Sequence, residues 1–402
     1  MTTFVRRQSQ PRESPPAFNL HRIATLKTST MVTKIFLTGA TGYIGGDALH
    51  TITKARPDLD ISVLVRSKDK AETVQAQYPN ARVVLGELGD ADTLRKEAAA
   101  ADIVIRKKPA NQRRLSSTAP TNHLLLLRAD TADSSDHEGA AKAIAQGLIE
   151  GHSKERPGYW LHLGGTGILT YFDSEVKKVF GEPDSKVYND FDGVDELTNL
   201  PSAAFHRHID EIVLKTGTDH ADKVKTVIIC PPTIYGRGRG PVSGRGRQVY
   251  ELTSFILKEQ YCPRIGRGLS KWNHVHVYDL SALIDLLVTT ALDPSRKDDA
   301  EVWGPKGYML AENGEHAWGQ VSEAIGKEVQ AQGLSKGQLE TKELSYDEAV
   351  KSPAGFEAAS WGMNSRATAL RARNVLGWTP KEQGLFDAIP EIVKSEAALL
   401  SR

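Results

Sequence analysis

From Lys34 onward, short apolar runs alternate with longer stretches whose apolar residues recur at helical spacing. The runs at Lys34–Leu37, Ile61–Val65, Arg82–Leu85, Asp102–Ile105, Gly158–Leu163 and Val224–Ile229 have strand length and β-branched content. Between them the pattern predicts helices at 69–77, 92–101, 137–150 and 204–215. Continuous apolar strands separated by helices imply a mainly parallel, doubly wound α/β sheet with helices on both faces. Ligands of such a sheet bind at the carboxyl ends of its strands. Beyond Pro231 the alternation weakens, and one strongly apolar helix, 278–291, stands out. Glycine and arginine interleave from Gly236 to Arg247 with no strand close before them, which predicts a mobile surface loop. The expected organisation is an extension at 1–30, a nucleotide-binding domain at 31–236, and a smaller mixed α/β cap from 237–276 and 294–402. A helix at 277–293 returns to the first domain.

The first turn of this pattern changes the picture most. In Lys34-Ile35-Phe36-Leu37-Thr38-Gly39-Ala40-Thr41-Gly42-Tyr43-Ile44-Gly45-Gly46 a strand enters a turn with glycines three apart, and a helix follows. Glycine permits the sharp turn and a close ligand approach, and the N–H groups and positive dipole end of a helix start suit a pyrophosphate. The segment reads as a dinucleotide site, spaced G-x-x-G-x-x-G instead of the commoner G-x-G-x-x-G.

Composition excludes several alternatives. Charged residues at 25% and hydrophobic ones at 40% suit a globular enzyme, and no apolar run approaches the roughly 18 residues of a membrane span. Cys230 and Cys262 are the only cysteines, too few for a disulfide framework, so a reducing, cytoplasmic setting is expected. Basic charge is concentrated in two places. Residues 1–33 hold Arg6, Arg7, Arg12, Arg22 and Lys27 against Glu13, and residues 106–129 hold six basic residues and no acid. With a net charge of +1, the body is therefore acidic, which argues against a nucleic-acid partner.

Neither basic segment shows a sustained period. The first reads as a superfluous extension before Met31, a disordered tail or a mitochondrial targeting segment. The second separates a buried strand ending at Ile105 from a helix-entry loop at Thr131–His137. It reads as an insertion, from translated intron sequence or as a functional lid, since compact domains rarely hold structureless connections above about 12–15 residues.

Several motifs appear in a single order: Thr38 to Gly45, Gly86-Glu87-Leu88-Gly89-Asp90, Pro231-Pro232-Thr233-Ile234-Tyr235-Gly236 and Val275-His276-Val277-Tyr278-Asp279-Leu280. Ser365-Arg366 and Leu376-Gly377-Trp378-Thr379-Pro380-Lys381 follow. Over about 31–105 and 130–400 the chain resembles the NAD(P)-dependent epimerase/dehydratase family, the extended and atypical short-chain dehydrogenases. The resemblance implies a Rossmann sheet with a cap and a small-molecule substrate. Pairing into a homodimer is common in the family. It also implies that Gly39, Thr41, Gly42 and Gly45 wrap the pyrophosphate, with backbone N–H groups from Tyr43 and Ile44. Glu87 and Leu88 would lie near adenine, Thr131 and Ala132 near a ribose, and Pro232 and Thr233 beside the nicotinamide amide. Where users of NAD place an acid after the second strand, Arg66 follows Val65 and can pair with the extra phosphate of NADP. NADP is therefore expected. If Arg66 and Lys68 form an ordinary solvated turn, NAD stays open.

One departure from the family is plain. Its proton donor is a Tyr with Lys four positions later, yet none of the eleven tyrosines has Lys there. Ser202 and His206 stand at the two positions. Thr166 is within one position of the expected hydroxyl after the fifth strand, though it also suits a simple turn. Imidazole titrates near neutrality, so His206 is a candidate proton carrier or, alternatively, a capping residue. Tyr171 and Tyr188 are candidate donors or packing residues. His274 and His276 share a strand face without an acidic partner at ligand spacing, so no metal is expected. The expected activity is an oxidoreductase on a small carbonyl or alcohol. Nucleotide-sugar epimerisation or dehydration and a catalytically degenerate NADP sensor are the alternatives.

Overall fold

A computed structural model describes residues 32–107 and 137–401. Thr131, Ala132 and nearly all of the expected insertion lie outside the described residues. In chain order the strands are β1 (Lys34–Thr38), β2 (Asp60–Val65), β3 (Arg82–Leu85), β4 (Ile103–Arg106), β5 (Gly158–Leu163), β6 (Tyr188–Asn189) and β7 (Val224–Cys230). They continue with β8 (Thr233–Tyr235), β9 (Cys262–Ile265), β10 (Lys271–His276), β11 (Tyr308–Leu310), β12 (Glu315–Ala317), β13 (Thr341–Leu344) and β14 (Ala367–Thr368).

Seven of them form one sheet in the order β11-β7-β5-β4-β1-β2-β3, with every pairing parallel. The chain reverses its winding between β1 and β4, where Leu37 pairs with Ile105, and that reversal opens a crevice at the strand ends. Burial explains the composition: every residue of β4, β5 and β7 is buried, whereas edge strand β3 is half-exposed. Helices Tyr43–Ala55, Ala91–Ala100, Glu138–Gly151 and Arg207–Asp219 all bury apolar faces in this core. Helix Val277–Leu292 packs against helix Tyr43–Ala55, to which the Arg56–Asp285 ion pair (2.8 Å) ties it.

A second apolar cluster gathers Trp318, Trp361, Phe255, Ile256, Ile389 and Val393 from the later helices. β10 pairs with β8 in parallel and with β12 antiparallel, and β9 pairs with β13.

Three local features differ from the sequence expectation. The seventh strand of the main sheet, β11, comes from within the segment assigned to the cap. Three apolar residues, Tyr308-Met309-Leu310, are too short a run to register as a strand, but full burial beside β7 supplies what their length does not. Strand β4 extends through Arg106, a residue counted with the basic insertion. Its fully buried guanidinium donates to the His137 carbonyl at 3.0 Å and lies 3.4 Å from His162 Nδ1.

The glycine–arginine run is also not a loose loop. Arg239 forms a bidentate pair with the fully buried Asp47 of the first helix (Nη2–Oδ1 2.5 Å, Nε–Oδ2 3.1 Å), adds its own N–H to Oδ2, and covers the Tyr278 ring at 3.7 Å. A buried carboxylate without such a partner would cost several kcal/mol, on the order of 3–5. The glycines are there for contact: a Cβ on Gly240 would lie 2.7 Å from Gly46 Cα, and one on Gly238 2.9 Å from the Tyr43 ring.

Candidate functional site

The turn after β1 has the geometry its glycines require. Gly39 has φ 81°, in the left-handed region, and its carbonyl accepts the Gly42 N–H at 2.8 Å. A Cβ on Gly45 would stand 2.4 Å from that same carbonyl oxygen. Helix Tyr43–Ala55 starts at Gly42 without a side-chain cap and without an acid in its first turn. Its leading N–H groups and positive dipole end are therefore open to an anion. Beside the turn, the Thr38 hydroxyl donates to the Lys107 carbonyl (2.9 Å) and accepts the Lys107 N–H (3.0 Å), fastening β1 to the exit of β4. Thr41 is buried next to the turn. These groups fit a dinucleotide pyrophosphate.

The other cofactor candidates lie along the same edge of the sheet. Arg66 is exposed where β2 ends, and Glu87 is exposed with Leu88 half-buried after β3. Asp90 accepts the Thr93 N–H at 3.1 Å and so caps the helix that follows. After β7, Pro232 borders the cavity described next, and Thr233 is fully buried with no hydrogen-bond partner for its hydroxyl among the described residues.

A cavity of about 180 Å³ opens at the carboxyl ends of β5 and β7. Tyr43 and Ile44 border it on the glycine-turn side, and Gly164–Gly167, Pro231–Pro232, Trp272, Phe356 and Met363 also line it. Thr166 is held at both ends of its backbone: its N–H donates to the Pro231 carbonyl (3.0 Å), and its carbonyl accepts the Ser365 hydroxyl (2.6 Å). Its own hydroxyl, on a residue 2% exposed, has no partner among the described residues. Such a buried hydroxyl costs roughly 1–3 kcal/mol unless a ligand satisfies it.

His206 borders the same cavity. It has φ 67° and precedes helix Arg207–Asp219, and its carbonyl accepts the Ile209 N–H at 3.0 Å. The helix therefore begins three residues later than the sequence pattern predicts. Ser202, at the position of the family tyrosine, is exposed and donates to Glu211 Oε1 at 2.7 Å, away from the cavity.

The two tyrosine candidates are not part of the cavity wall. Tyr171 packs edge-to-face on Phe172 at 5.4 Å, and Tyr188 is buried in β6, where desolvation pushes its phenol up to about 12. The tyrosine that does border the cavity, Tyr43, already donates its hydroxyl to the Gly236 carbonyl at 2.5 Å.

Behind His206 lies a buried polar chain that sequence reading missed. Asp210, one helical turn on, accepts from Tyr308 Oη (3.3 Å), which in turn accepts from Cys230 Sγ (3.0 Å). Its other oxygen is 3.8 Å from His162 Nε2. Burial raises the Asp210 carboxyl to about 6, with the charges of His206, Arg207 and Arg106 opposing the rise. The chain joins β4, β5, β7, β11 and one helix, so no local motif announces it. Trp272, Phe356, Met363 and Glu357 were also missed: Trp272 lies on β10, Phe356 and Glu357 in the short helix Phe356–Ser360 and Met363 just after it, and nothing in their local pattern marks a site. Arg247 was visible only within the glycine–arginine run.

His274 and His316 meet at 3.1 Å between their Nδ1 atoms, and burial lowers His274 to about 4. Among the described residues no group of three or more His, Cys, Asp or Glu could hold a metal ion, and no helix is long and apolar enough to cross a membrane.

Known proteins place this arrangement. Residues 39–146 match a family described as NAD(P)H-binding. An Acremonium sp. protein named as an oxidase, ucsJ, is 35% identical over 377 residues, 92% of this chain and 99% of its own length. dTDP-glucose 4,6-dehydratase from Bacillus anthracis, solved with NAD, shares the fold at 14% identity and a TM-score of 0.58, covering 91% of this chain and 97% of its own. UDP-glucose 4-epimerase from Thermotoga maritima, solved with UDP-glucose, does so at 14% identity and 0.58, covering 92% and 100%. The glycine turn, the parallel sheet and a relative alike over almost its whole length converge on one statement: the chain belongs to one family with the Acremonium oxidase ucsJ and carries an NAD(P)H-binding segment, on a fold shared with nucleotide-sugar dehydratases and epimerases.

Proposed function

We propose that this protein is an NADP-dependent oxidoreductase that interconverts a small alcohol and its carbonyl compound in the cavity above Thr166. The observation that carries the reading is the Thr166 hydroxyl, buried, fixed by its backbone and without a partner among the described residues, in a cavity that begins at the cofactor turn. The backbone of Gly39 to Gly45 would hold the pyrophosphate, with Pro232 and Thr233 beside the nicotinamide. The bound nicotinamide supplies the hydride chemistry that no side chain can. Thr166 orients the reacting oxygen by a hydrogen bond, and the His206 imidazole gives or takes the proton on that oxygen. A residue held in the left-handed region at a cost of order 1 kcal/mol is often one whose side chain must point to a particular place. The oxidase name of the Acremonium relative favours alcohol oxidation as the direction.

The test is a purified preparation assayed with NADPH and NADP+ against aldehydes, ketones and alcohols. Thr166→Ala is expected to lower kcat about tenfold or more while leaving NADPH affinity within twofold, since one hydrogen bond to substrate is lost. Unchanged turnover removes Thr166 from the site. Tight NADPH binding without turnover of any compound would instead make the chain a cofactor sensor.

NADP is preferred over NAD in this reading because Arg66, exposed where β2 ends, can make paired hydrogen bonds to a phosphate. Arg66→Asp is expected to weaken NADPH binding by tenfold or more while sparing or improving NADH binding, measured by calorimetry. Equal losses for both cofactors would reject that role.

A further inference from the structure

We infer that the substrate is an uncharged, predominantly apolar alcohol or ketone, and not a nucleotide sugar or another anion. The inference rests on the proposed oxidoreductase reading and assigns the class of molecule that fills its cavity.

Much of the lining is apolar: Phe205, Ile234, Trp272, Phe356 and Met363 all border the cavity. Several polar groups among the lining residues are already engaged with the protein. The Trp272 indole donates to the Met363 carbonyl (2.8 Å), so its ring is what remains for a ligand. The Ser360 hydroxyl donates to the Glu357 carbonyl (2.6 Å), and the Thr170 hydroxyl to the Gly167 carbonyl (2.7 Å). Gln248 is neutral. Thr166, which lines the cavity with His206, has a hydroxyl without a partner among the described residues and so available to one ligand oxygen.

Charge points the same way. Arg245 is neutralised twice over, by Glu396 (2.7 Å) and Glu251 (2.6 Å). Arg247 pairs with Glu357, whose side chain is the more buried of the two. Lys107 stands at the β4 exit, on the side of the glycine turn. Away from Lys107, an anion would shed its water and have to displace a carboxylate from Arg245 or Arg247 to find a cation, which costs far more than seating an uncharged group. Size agrees. At about 180 Å³, the cavity is below the roughly 300–1,000 Å³ of pockets for drug-sized ligands, and a nucleotide sugar brings two further rings and two phosphates.

The experiment compares three probes on the full chain saturated with NADP+: acetophenone, its 4-carboxylate analogue 4-acetylbenzoate, and UDP-glucose. Binding is read by calorimetry and turnover by nicotinamide absorbance with the reduced cofactor. Acetophenone is expected to bind at least tenfold more tightly than either anion. Glu357→Gln removes a carboxylate from the cavity lining beside Arg247, so the gap to 4-acetylbenzoate should shrink to threefold or less, with the melting temperature checking that the variant is folded. Equal or tighter binding of 4-acetylbenzoate or UDP-glucose overturns the inference, as does failure of acetophenone to bind. Turnover of an anion in preference overturns it while leaving the oxidoreductase reading intact. Acetophenone binding without hydride exchange has the opposite effect: it supports the apolar site and counts against the reaction.

Discussion

Gly45→Ala is expected to weaken NADPH binding by about a thousandfold. The added methyl would lie 2.4 Å from the Gly39 carbonyl oxygen and 2.8 Å from its carbon, both backbone atoms that cannot swing aside. That oxygen is already the acceptor for the Gly42 N–H, and Gly39 sits at a positive φ. Relief of the clash must therefore open the turn or push the first helical turn outward, and either change misdirects the N–H groups that face the phosphates. A thousandfold is about 4 kcal/mol, comparable to losing several charge-assisted hydrogen bonds. Calorimetry gives the affinity, and far-UV circular dichroism shows that the sheet persists. Gly337→Ala is the control, because a Cβ there meets nothing within 4 Å. A Kd for Gly45→Ala within threefold of the parent would separate the turn from the cofactor.

The contrast between Gly45 and Arg106 shows what the sequence disclosed. A glycine whose Cβ has no room leaves its constraint in its own identity and spacing, so the turn was readable from Lys34 to Gly46 alone. Buried parallel strands were readable for a similar reason, since β5 and β7 need apolar residues on both faces. Arg106 carries no such mark. An arginine in a basic run is ordinarily solvated, and only the tertiary fold brings the His137 carbonyl and the His162 ring to it. Asp47 and Arg239 are 192 positions apart, so the pair that pins the glycine–arginine run was equally hidden. The apolar lining of the cavity is the extreme case. Trp272 comes from β10, Phe356 from the short helix Phe356–Ser360 and Met363 from the turn after it, and their apolar character reads as ordinary core. Local chemistry was thus legible where one segment holds the whole constraint, and not where the constraint is shared across the chain.

His206 is the residue on which the catalytic reading can be tested hardest. If its imidazole carries the proton, His206→Asn should lower kcat by about a hundredfold to ten-thousandfold, the range that a positioned acid or base contributes. Asparagine is the informative choice, because it tolerates the left-handed backbone that His206 adopts at φ 67° and leaves the start of helix Arg207–Asp219 in place. NADPH affinity and melting temperature should stay near those of the parent, which separates loss of a proton carrier from loss of a fold. The pH profile gives a second readout. A limb of the rate profile that belongs to the imidazole disappears in the variant, whereas a residue with a purely structural role would scale the whole profile down without changing its shape. Turnover of His206→Asn within tenfold of the parent would return the proton to water. Since Tyr43 is spent on the Gly236 carbonyl and Ser202 faces away, Thr166, whose hydroxyl has no partner among the described residues, would then be the next side chain to test for passing that proton on.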